Sequence, residues 1–149
     1  MRAEAILRQV LAGIAEHVHR ARLNAVVDAV LAVIKGGEIA LSALGRSLGR
    51  TSQKHGIKRA DRLLGNAALA EEVELFYRAV ATHVLRSAKR PVILVDWTES
   101  GRSMCSLTAA VPVQGRAIVI HSMTLPLSKW TSRVFEDRKR CTNPVFRGA

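Results

Sequence analysis

The apolar pattern changes period at Pro91, and that change restricts the chain to a fold in two parts. Before about residue 88 apolar side chains recur at helical spacing; after Pro91 they run in short β-branched blocks. Within 3–19, the residues Ile6, Leu7, Val10, Leu11, Ile14 and Val18 share one helical face. Segment 24–35 is apolar nearly all round, which predicts the centre of a bundle, with Asn24 as N-cap and Gly36-Gly37 as its stop. Segments 39–48 and 57–66 read as short helices, the second closed by Gly65-Asn66. A longer helix is predicted over 67–87, on the stripe Leu69, Val73, Phe76, Val80 and Val84, with Glu71 and Glu72 in its first turn, where they favour the helix dipole.

Beyond the boundary at Ser87–Arg90, Val92–Val95 reads as a strand buried on both faces and ending at Asp96. Ser103–Val113 and Ala117–Leu125 read as two further strands joined by a Gln114-Gly115 turn. Pro112 puts the second of the three at a sheet edge or near its own end. The fold class expected is α+β, a helical bundle followed by three neighbouring strands. From Leu127 onward the chain turns polar and basic, and no packed element is expected after about residue 137.

With 149 residues and 48% hydrophobic content the chain can bury a core, so its net charge of +11 does not signal disorder. A surplus of that size points to a polyanionic partner, nucleic acid first. The two cysteines, Cys105 and Cys141, form no C-x-x-C, and no zinc or disulfide framework follows. Arg8, Gln9 and Glu16 interrupt the apolar N-terminus, which excludes a signal peptide or membrane span there.

The charge is densest in 45–62, "GRSLGRTSQKHGIKRADR". There Arg46, Arg50, Lys54, Lys58, Arg59 and Arg62 meet a single acid, Asp61. Small residues in the stretch, Gly45 and Gly56 among them, let a backbone come close to a surface. Two short helices with a tight basic connection are the arrangement of a helix-turn-helix. The same residues also suit a solvated loop.

Acid is scarce elsewhere. Between Leu75 and Phe135 the only carboxylates are Asp96 and Glu99. An aspartate on a short apolar strand is held rigidly and can ligate Mg²⁺, the ion that clamps attacking and leaving oxygens in phosphodiester chemistry. It can equally accept hydrogen bonds from turn amides or from Thr98, or cap the next element. Glu99 reads as a solvent-facing charge, His55 and His121 as structural, Cys105 as a small core residue, and Trp97 as packing.

Four stretches, "LSALGRSL", "KHGIKRADRLLGN", "PVILVDWTES" and "AAVPVQGRAIVIHSMTLPLSK", resemble in order and spacing the N-terminal part of a bacterial insertion-sequence transposase. The likeness is to the DDE enzymes of the insertion-sequence-four family, Tn-ten-like branch, and runs from about residue 22 to 129. It implies a helical DNA-binding region over 1–88 that binds double-stranded DNA at the transposon ends. It also implies the start of a ribonuclease-H-like catalytic domain over 89–128, and a divergent basic tail over 129–149. Asp96 matches the family's first catalytic, metal-binding aspartate, and Lys54, Lys58, Arg59 and Arg62, with Arg46, are the matching DNA-binding positions; Arg50 joins them from the basic stretch itself. Mg²⁺ is the implied cofactor, a bacterial cytoplasmic, nucleoid-associated location is implied, and no membrane is involved.

The family's second aspartate and its glutamate fall beyond the matching region, and Glu136 and Asp137 lie in the wrong context to replace them. The expectation is a truncated transposase, catalytically incomplete alone, with a full-length transposase as a further partner. The alternative is a stand-alone DNA-binding protein or an inhibitor of such an enzyme. A three-stranded remnant also leaves apolar sheet surface uncovered, which predicts low solubility or partial disorder over 91–149.

Overall fold

A computed structural model describes residues 2–48, 52–100 and 103–126. Among the described residues six α-helices are followed by a three-stranded antiparallel sheet, an α+β arrangement. The chain divides into two compact units, 1–88 and 89–149.

In the first unit α1 spans Arg2–Leu11 and tightens into a 3-10 turn at Ala12–Ile14, so the helix expected over 3–19 is shorter. Gly13 sits in that turn, where its low helix propensity weakens continuation. The apolar stripe keeps its function: Leu11, Ile14 and Val18 are buried against Val27 and Ala79. Helix α2 is Arg20–Gly36, capped by His19, whose Nδ1 accepts from the Ala21 N–H at 3.2 Å. Asn24 is therefore inside the helix and is not its cap. Gly37 ends α2 in the left-handed region (φ 71°), where glycine carries no Cβ penalty. Helix α2 supplies Val27 to the first cluster and Ala32 to a second one. It is central but not fully enclosed, because Ile34 is 60% exposed.

Helices α3 (Leu41–Leu48) and α4 (Gln53–Leu64) close the second cluster, Ala32, Leu44, Leu48 and Ala60. Ser52 caps α4 by accepting from the His55 N–H at 3.3 Å, so this helix starts four residues before the expected Ile57. The helix expected over 67–87 is two, α5 (Ala67–Glu71) and α6 (Val73–Leu85), interrupted at Glu72. Glu72 (φ −86°, ψ −4°) stays in the right-handed region but forms a tighter turn, the Leu75 N–H donating to its carbonyl at 2.9 Å, and its carboxylate is held by Arg22 of α2, with Arg22 Nε donating to Oε2 at 2.8 Å. Asn66 caps α5 through the Leu69 N–H at 3.0 Å.

The second unit is a meander of β1 (Leu94–Ser100), β2 (Met104–Val113) and β3 (Arg116–Pro126) in the order β1-β2-β3. Gln114 (φ 49°) and Gly115 (φ 76°) form the two-residue hairpin turn, both left-handed, which matches the twist of flanking strands. Pro112 lies near the end of β2, opposite Ala117, and β2 is the central strand. The first strand differs from expectation in two ways. It begins at Leu94, because pairing with Ala110–Met104 sets its limits, so Asp96 lies within it and not at its end. Nor is it buried on both faces: Val92 and Val95 are each 64% exposed. The apolar run from Val92 is therefore largely open.

Candidate nucleic-acid interface

Helix α4 carries Lys54, Lys58, Arg59 and Arg62, all the described candidate DNA contacts except Arg46, and its packing decides which way each one faces. Gly56 and Ala60 are buried against the bundle. Lys54, Lys58 and Arg62, spaced four residues apart, therefore stand together on the opposite, exposed side, with the exposed His55 on the flank of the row. The row spans about 12 Å at 1.5 Å rise per residue. None of the three has an ion-pair partner among the described residues. Asp61 is on the flank of the same face and lowers its charge only at one end.

Two other expected DNA contacts are engaged within the protein. Arg59 pairs with Asp28 of α2, binding α4 to the helix beneath it. Arg46 of α3 stands 4.0 Å from Glu38, a long and exposed pair that a phosphate can replace at little cost. Arg50 lies outside the described residues, as does the tail from 129 with Cys141, Glu136 and Asp137.

Gly45 has a different function from the one its place in the basic stretch predicts. It is buried, and a Cβ there would lie 2.5 Å from Ile57 Cγ1, 2.6 Å from Ile57 Cα and 2.7 Å from Ile57 N. The missing side chain lets α3 and α4 touch backbone to backbone. Gly56 is likewise buried. Gly45 brings the two helices together and leaves the approach to a partner to the row Lys54, Lys58 and Arg62.

The bidentate pair Arg22–Glu72 shifts both groups. The hydrogen bond from Arg22 holds the Glu72 carboxyl below its ordinary range, and the same bond raises Arg22. It fixes α2 against the α5–α6 break and is structural. Neither residue was read as a partner in the sequence, because 50 positions separate them.

On the sheet, alternation sorts the side chains by face. Asp96 shares a face with Thr98, and the register sets it beside Thr108 and Ser122. The next row is Thr98, Ser106 and Thr124. These hydroxyls bond one another: Ser106 to Thr124 at 2.8 Å and Thr108 to Ser122 at 3.3 Å. Thr98 Oγ1 donates to Asp96 Oδ2 at 3.3 Å. A bond from Thr98 was expected under the structural alternative for Asp96, and it forms. Glu99 and His121 fall on the opposite face, with Val95, Trp97, Leu107 and Met123, so neither can join Asp96 on one ion. Among the described residues no three His, Cys, Asp or Glu side chains come together as a metal-holding group. The hydroxyl ladder was legible as period-2 Ser and Thr in β2 and β3, but only the hairpin register aligns it with Asp96.

Comparison with protein-family models, with curated proteins and with solved structures finds no match. No described helix is long and apolar enough to cross a membrane.

Proposed function

We propose that this chain is a DNA-binding part of an insertion-sequence transposase of the DDE type, with residues 1–88 engaging the duplex at transposon ends. The observation that carries the reading is the exposed row Lys54, Lys58 and Arg62 on α4, backed by α3 through the Gly45–Ile57 contact. Two short helices locked together, the second presenting cations outward, suit phosphate contact and groove entry. The meander with an aspartate on its first strand agrees with the opening of a ribonuclease-H-like domain.

Magnesium is the cofactor this reading implies. A single exposed carboxylate bonded to a threonine hydroxyl does not make the donor set of a two-metal centre. No cleavage step is therefore assigned to this chain's residues. That same observation favours a second reading, a DNA-binding protein that occupies transposon ends and competes with a full-length transposase.

The test is binding selection from a pool of random duplexes, followed by titration in increasing KCl. Recovery of one recurring sequence, with affinity falling steeply in salt, is the expected result. Replacing Lys54, Lys58 and Arg62 by Gln should lower the salt slope by about 0.9 per lost phosphate contact. Arg59→Gln serves as the internal contrast, since it loosens α4 from α2 and should act on stability more than on slope. Salt-sensitive binding with no recurring sequence would refute recognition of transposon ends. Addition of the chain to a full-length transposase reaction tests the second reading, because a competitor for the ends must suppress their cleavage.

A further inference from the structure

A groove of about 460 Å³ lies between α1, the 3-10 turn that follows it, and α6. Its floor is apolar, from Val10, Ile14 and Ala79. Along one rim stand Arg78, Thr82 and Arg86, four residues apart and so on a single exposed stripe of α6. Gln9, Gly13 and His83 line it as well, and among the described residues no carboxylate does. Neither arginine has an ion-pair partner among the described residues. Two guanidiniums in a row about 12 Å long do not converge on one point, as a single phosphate would need. A row suits a polyanion, whose strand carries a charge every ~3.4 Å of helix axis.

We propose that this groove is a second nucleic-acid contact, holding a length of sugar–phosphate backbone. Arg78 and Arg86 bond its phosphates, Thr82 and Gln9 add neutral donors, and the sugars lie on the aliphatic floor around Val10. The inference rests on the DNA-binding reading above and adds to it a track on α1 and α6, distinct from the α4 row. It also gives residues 1–22 a place at the DNA surface as well as in the core.

Gly13 makes the proposal testable without touching charge. Its backbone is not in the left-handed region, and a Cβ there meets nothing within 4 Å, so a large side chain fits the fold and takes space from the groove. The full chain is titrated with a labelled 30-base-pair duplex over a series of KCl concentrations, by fluorescence anisotropy. Arg78→Gln/Arg86→Gln, both exposed positions that leave the core intact, should weaken binding about tenfold or more and lower the salt slope by about 1.8. Gly13→Phe should weaken binding to a similar extent with every charge retained. An unchanged slope in the double glutamine variant overturns the proposal. So does wild-type affinity in Gly13→Phe, because the arginines would then act only through long-range attraction. Loss of binding in the Lys54, Lys58 and Arg62 variant, with both groove variants at wild-type affinity, removes the groove and leaves the α4 reading standing. A wild-type chain that binds no duplex removes both.

Discussion

At Gly45 a single hydrogen atom sets the distance between two helices. The nearest atoms to an added Cβ include Ile57 Cα at 2.6 Å and Ile57 N at 2.7 Å, which are backbone and cannot swing aside. Gly45→Ala must push α3 from α4 and open the Ala32, Leu44, Leu48 and Ala60 cluster. Overpacking of this kind costs about 1–3 kcal/mol. A thermal melt followed by circular dichroism should show a drop of about 4–8 °C per kcal/mol for a unit of this size. A melt unchanged by the substitution would mean that the helices part freely. Glu72 offers a second residue-scale test, through pH. Its carboxyl is held below the ordinary range by Arg22, so the folded state binds its proton less tightly than the unfolded chain does. The stabilisation is complete above the ordinary glutamate range, near pH 4.3, and is lost as pH falls through the lowered folded value. The wild-type chain should therefore melt higher than Glu72→Gln at neutral pH, with the gap closing in acid. Because the pair is partly exposed, added salt should narrow that gap at neutral pH as well.

At the scale of elements, β1 combines an edge position with an apolar run. It pairs only with β2 among the described strands, and Leu94 and Val95 are 47% and 64% exposed. An unpaired ladder beside such residues invites a second strand. Val95→Lys should cut self-association, read as a fall in the weight-average mass by sedimentation at high concentration, with β2 and β3 unaffected. Equal association in the variant would put the sticky surface elsewhere. The elements themselves were legible to different degrees. The change of period at Pro91 foretold the passage from helix to sheet, and Gln114-Gly115 foretold the hairpin, because both are local chemistry. The interruption at Glu72 was not legible, since neither Gly nor Pro marks it and its holding partner is 50 positions away. The start of α2 was misjudged because His19 is an unusual cap. Lys58 and Arg62 lie on the helix expected over 57–66, but Lys54 joins their row only because Ser52 starts α4 at Gln53. That Arg59, next to Lys58, turns to Asp28 could not be read from the sequence, as that pairing spans 31 positions and is a product of tertiary packing.

The whole molecule carries a net charge of +11, and its two compact units each own part of the surplus. In 1–88 thirteen basic residues face eight acidic ones, so the helical unit alone is cationic. If the duplex is held by the α4 row and the α6 groove, both contacts lie in that unit, and binding energy should appear there first. Linkage makes this measurable: a ligand that binds only the folded form stabilises it by about 2.7 kcal/mol at a free concentration one hundred times Kd. Hydrogen exchange of the full chain should then slow at the amides of Leu44, Leu48 and Ala60, and at Leu11 and Val27, by up to that amount. The amides of Cys105, Ala110 and Val111 in β2 should exchange at the same rate with and without the duplex. Equal slowing in both units would show that the sheet also takes up DNA, and would move the basic residues Lys89, Arg90 and Arg116 into the contact surface. Slowing confined to the sheet would contradict the assignment of the helical unit as the DNA-binding part.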